Sequence, residues 1–151
     1  MLRAALVSLT AFLLSSIGVA EPTLGQAPKP PKRIDVIAND YAFLPLPVSI
    51  AAGPTIFTLE NRGKVWHEVH IVRLKPGVTL EQFTKAEQPQ RKYLYERSVG
   101  ILIGGPGTEP DGRVLVNLMK GSTCVAFCAL RDTPEAPQHL TFGMYTSFTP
   151  K

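Results

Sequence analysis

From Arg33 onward, apolar residues come in short runs broken by Gly, Pro and Asn. This punctuation narrows the fold more than any other feature of the chain. An amphipathic helix needs ten or more residues of unbroken 3.6-residue periodicity, whereas a strand needs only four to eight. The runs at 33–38, 47–51, 54–60, 65–73, 113–118, 122–129 and 142–148 are of strand length, and together they predict an all-β antiparallel sandwich. One short helix is predicted as well. Thr79-Leu80-Glu81-Gln82 has the form of a capping box, opening a helix over 80–87 that stops before Pro89. Residues 90–97 read as a further turn or as irregular chain, and 103–112, IGGPGTEPDG, as loop. The segment 74–112 is therefore expected to be an insertion between sandwich strands.

The ends of the chain differ in texture. Residues 1–20 read as a secretory leader: Arg3 precedes an apolar stretch from Ala4 to Leu14, and small Gly18 and Ala20 stand where a signal peptidase would act. Residues 21–32, EPTLGQAPKPPK, read as a proline-rich tether, leaving 33–151 as one domain. Export to the periplasm or beyond is the expectation, with no transmembrane segment after cleavage. The formal net charge is +4, and removing Arg3 with the leader lowers it by one. No Lys/Arg tract accompanies that charge, so it gives no support to nucleic-acid binding and leaves an acidic protein partner or an anionic surface open.

Rare side chains cluster near the C-terminus. The chain has two cysteines, three histidines and three methionines, and Cys124, Cys128, His139 and Met144 all lie between residues 124 and 144. In an exported protein two cysteines suggest a disulfide. Along a strand, however, Cys124 and Cys128 would be roughly 13 Å apart, beyond the ~4.4–6.8 Å that a disulfide spans. At least one thiol is expected to be free.

A further half-site lies in FTLENRGKVWHEVHIV. Strand alternation puts Val65, His67, Val69 and Ile71 on one face, and Trp66, Glu68, His70 and Val72 on the other. His67 thus sits on an aliphatic face, where it is either a core histidine bonded to backbone or a metal ligand. If strand 122–129 ends at Cys128 and the next begins near Leu140, then His139 re-enters at the Cys128 end and Met144 follows. A thiolate, two imidazoles and a weak axial thioether form the blue-copper electron-transfer arrangement.

Here the sequence resembles the cupredoxins, the plastocyanin-like blue copper proteins. The matching pieces are FTLENRG before His67 and KGSTCVAFC with HLTFGM around Cys128, His139 and Met144. The resemblance covers roughly residues 34–149 and is thin over 74–112. It implies a Greek-key β-sandwich of cupredoxin type and one copper ion held by His67, Cys128, His139 and Met144. It further implies single-electron transfer between redox protein partners, no enzymatic activity, and His139 as the electron exit edge on an apolar rim. Two features depart from the family's small members: ten residues separate Cys128 from His139, and Glu68 replaces an asparagine. The blue copper site of copper nitrite reductases shares the longer segment.

Two alternatives stay open. The same ligands could serve a periplasmic copper carrier or store. Cys124 could also join a binuclear copper site, although its place in the apolar strand favours a packed structural thiol. Zinc would leave Met144 unexplained.

Overall fold

The computed structural model describes residues 30–47, 49–109 and 112–151. The leader and most of the tether lie outside the described residues. Two four-stranded sheets face each other. One has the order β2-β1-β3-β6, formed by β1 (Lys32–Asn39), β2 (Ala42–Phe43), β3 (Gly53–Asn61) and β6 (Arg113–Leu118). The other has the order β5-β4-β7-β8, formed by β4 (His67–Leu74), β5 (Tyr95–Gly104), β7 (Cys124–Phe127) and β8 (Tyr145–Phe148). All pairings are antiparallel except β1 with β3, which run parallel from Lys32↔Thr55 to Ala38↔Asn61.

Alternation along these strands fills the space between the sheets. Val36 and Ala38 of β1, Phe57 and Leu59 of β3, Val69 and Ile71 of β4, and Cys124 and Ala126 of β7 meet in one apolar cluster, which also includes Cys128 and Met144. The intervening residues of β4 and β7 point the other way. Val72, Leu74, Val125 and Phe127 build a second cluster with Phe83 and Leu140. Phe83 comes from α1 (Leu80–Lys85) and is wholly buried, which stabilises the helix's seat by about 2–3 kcal/mol.

The capping box forms as expected: Gln82 N–H donates to Thr79 Oγ1 at 3.1 Å, and Thr79 N–H donates to Gln82 Oε1 at 2.8 Å. The rest of the insertion differs from expectation. The helix ends at Lys85, and a second helix, α2 (Gln88–Arg91), follows with Pro89 in its first turn. A single short helix is thus corrected to two.

Residues 95–104 are not irregular; they form the ten-residue strand β5 along β4. This is an edge strand with no fully buried residue, so its polar half, YERS, hid the period of two. Gly100 is there for space, since a Cβ would lie 3.0 Å from both methyls of Val114 on β6. The run at 47–51 is no strand where it is described. Pro45 and Pro47 remove donors on its approach, and Ile50 instead accepts from Lys151 N–H at 3.0 Å.

Candidate metal centre

β4 begins on His67, and what precedes it is a turn built by Asn61. That buried amide donates to Val65 O at 2.8 Å and Gly104 O at 2.9 Å, and its oxygen accepts Gly63 N–H at 2.9 Å. Gly63 is required by close approach: a Cβ there would fall 2.5 Å from Asp40 Oδ1 and 3.0 Å from His67 Nε2. The Asn-x-Gly element therefore aims His67 into the inter-sheet core, where it is fully buried.

Cys128 follows the last residue of β7 on the same inward face as Cys124 and Ala126. After ten intervening residues the chain returns, with His139 N–H donating to Leu130 O at 2.9 Å and Leu140 N–H to Cys128 O at 2.9 Å. The expected strand from Leu140 is instead a 3₁₀ turn, His139–Phe142, closed by Gly143 at φ 96°. That turn brings Met144 back: Cys128 N–H donates to Met144 O at 3.1 Å, and Met144 N–H to His139 O at 3.2 Å. Met144 is fully buried in the cluster that holds Cys128.

Three donor atoms converge. His67 Nδ1 and His139 Nδ1 are 3.2 Å apart, and Cys128 Sγ is 3.4 Å from His139 Nδ1. His67, Cys128 and His139 are all buried, and their ligating atoms lie within 4.8 Å of one another. Burial makes the centre averse to bare charge. It pushes the Cys128 thiol up to about 11, against the opposing N–H of Glu68, which lies 3.3 Å from Sγ. Burial also pulls His67 below its ordinary value, with neighbouring His139 adding to the shift. One thiol and two imidazoles, all buried and facing each other, fit a soft cation, which would compensate the thiolate that burial otherwise disfavours.

Around these three lies a set of residues that sequence reading did not reach. Asp132, inside the Cys–His segment, places Oδ1 3.0 Å from His139 Nε2, and its Oδ2 accepts the Tyr41 O–H at 2.6 Å. Tyr41 stands in the β1–β2 turn at φ 59°. His139 is accordingly only 1% exposed, so its ring edge is not on an apolar rim as expected. Phe142, which is exposed, packs beside Tyr41 at 5.0 Å between ring centres.

Glu68 is buried and accepts Ala129 N–H at 2.8 Å; burial raises its carboxyl, and that N–H opposes the rise. Buried Arg91 of α2 donates to Ala86 O at 2.6 Å and to Gln138 Oε1 at 2.7 Å, tying the helices to the residue before His139. No local motif announces these partners: Arg91–Gln138, Glu68–Ala129 and Tyr41–Asp132 meet across 47 to 91 residues of chain, and the seven-residue step from Asp132 to His139 follows no motif.

The two thiols are both free. Cys124 lies four residues back in β7, packed in the aliphatic core with Ser122 Oγ 3.7 Å from its sulfur, and it is not part of the His67–Cys128–His139 group. His70, on the outer face, stacks on Phe127 at 4.9 Å and meets Ser98 Oγ at 2.8 Å.

Neither a family model nor a curated sequence matches the chain. Solved structures do. Auracyanin B matches with a TM-score of 0.55 at 17% identity, over 82% of this chain and 91% of that one. Auracyanin A, a blue copper protein of the green thermophilic photosynthetic bacterium Chloroflexus aurantiacus, gives 0.53 at 15% identity, over 81% of this chain and all of that one. The dithionite-reduced auracyanin of Roseiflexus castenholzii gives 0.51 at 16%, over 80% and 97%. At such identities the likeness is one of fold, and it extends over nearly the whole length of those proteins. With two facing sheets and a His-Cys-His group in its core, the chain has the fold of the blue copper cupredoxins.

Proposed function

We propose that the protein is an exported carrier of single electrons that holds one copper ion through His67, Cys128, His139 and Met144. The observation that carries this reading is the convergence of Cys128 Sγ and two imidazole Nδ1 atoms within 4.8 Å in a buried pocket. When bound, the copper supplies a centre that takes up and gives back one electron. The protein's part is to keep the ligand geometry fixed. His67 is set by a strand end and the Asn61 turn, Cys128 by β7 and the Glu68 N–H, and His139 and Met144 by the 3₁₀ turn between them. Ligands locked by backbone rearrange little between oxidation states, which keeps electron exchange fast.

The partner is a redox protein, and the basic net charge, +4 less one once Arg3 leaves with the leader, suits an acidic one. Exposed Phe142 beside Tyr41, and Trp66 next to His67 at 60% exposure, supply apolar contact near the ligands. The leader-like 1–20 segment supports export.

The test is spectroscopic. Full-length protein given Cu(II) should take up one equivalent and show an intense visible thiolate-to-copper band. Cys128→Ser should abolish the band, and Cys124→Ser should keep it. A colourless protein that binds only Cu(I) would replace electron transfer with copper delivery. Two equivalents of copper and dependence on Cys124 would establish a binuclear site.

A further inference from the structure

We propose that Asp132 and Tyr41 are positioning residues that hold His139 with Nδ1 toward Cys128 and close its outer ring edge to solvent. The proposal deepens the copper reading and rests on it for the ligand role of His139.

The argument starts from which ring nitrogen carries hydrogen. A carboxylate oxygen only accepts hydrogen bonds, so Asp132 Oδ1, 3.0 Å from Nε2, selects the tautomer with hydrogen on Nε2. The lone pair then lies on Nδ1, the atom 3.4 Å from Cys128 Sγ and 3.2 Å from His67 Nδ1. Asp132 is itself held, because its other oxygen accepts from Tyr41 at 2.6 Å. Tyr41 adopts φ 59°, a left-handed backbone state that a bulky side chain rarely takes. That conformation lays its ring edge-on against His139 at 5.0 Å and 83°. The segment between Cys128 and His139 thus folds back onto its own histidine, which its length of ten residues allows.

His67 provides the contrast. Its Nε2 is buried with no hydrogen-bond partner, and the nearest carboxylate, Asp40 Oδ1, is 3.9 Å away and already accepts Lys64 N–H at 2.6 Å. One imidazole is clamped and the other is not.

The experiment uses the full-length protein with Asp132→Ala, Asp132→Asn, Tyr41→Phe and, as control, Asp40→Ala. Proton and nitrogen NMR of the metal-free protein should show a slowly exchanging Nε2–H on His139, lost in Asp132→Ala and kept in Asp40→Ala. Cu(II) affinity should fall about 10- to 100-fold in Asp132→Ala and less in Asp132→Asn and Tyr41→Phe. A metal-free His139 protonated at Nδ1, or rapid exchange of its Nε2–H, overturns the proposal. So does unchanged Cu(II) affinity in Asp132→Ala with the thiolate band intact. If the wild type never develops that band, the copper reading itself fails, and with it the ligand part of this proposal; the NMR result still decides the clamp.

Discussion

The two faces of the β5-β4-β7-β8 sheet are made from alternate residues of the same strands, yet they are stabilised in different ways. The inner face presents Val69, Ile71, Cys124, Ala126 and Cys128 to the opposite sheet and carries His67 at its rim. It is apolar up to its end, where the donor atoms collect. The outer face presents Val72, Leu74, Val125 and Phe127 to α1, and buried Arg91 braces that cover from below. The contrast teaches a division of labour. Dispersion and burial hold the ligand face without polar groups that would compete for an ion, while the polar brace sits on the far side and reaches the ligand loop only through Gln138.

Substitutions can test that division. Phe83→Ala removes the plug of the outer cluster and should destabilise the protein by about 3–5 kcal/mol in chemical denaturation, with the copper spectrum of the folded fraction unchanged. Arg91→Met should cost about 2–4 kcal/mol, because Phe83 O, Ala86 O and Gln138 Oε1 lose their shared donor. A shifted Cu(II) band in this variant would show that the two faces communicate through Gln138 and would break the separation. On the inner face, Cys124→Ala should cost only about 1 kcal/mol and leave one copper per chain, sharpening the distinction between the two thiols. Thr79→Ala, at the edge of the outer cover, should cost about 0.5–1 kcal/mol in thermal unfolding through loss of the cap alone.

Those differences track how each part could be read from sequence. The alternation in β4 assigned His67 and Glu68 to opposite faces, and the structure keeps them there. The capping box announced α1, because its bonds join residues three apart. β5 escaped because an edge strand buries too little to impose a hydrophobic period, and 142–148 was read as all strand because Gly143's left-handed turn is not visible in composition. Asp132, Tyr41, Gln138 and Arg91 carried no pattern at all; Tyr41 and Arg91 act on neighbours 91 and 47 residues away, and Asp132, though only seven residues from His139, belongs to no motif with it.

What the chain determined by itself were local quantities: which face the residues of β4 take, the helix start, and the four side chains with metal-binding chemistry. Those follow from periodicity and from bonds between near neighbours. Only the tertiary structure decided that the two imidazole Nδ1 atoms lie 3.2 Å apart, that Asp132 turns back onto His139, and that the histidine edge is covered. Such distances depend on how two sheets and a ten-residue loop close on each other, and no short stretch of sequence encodes that closure.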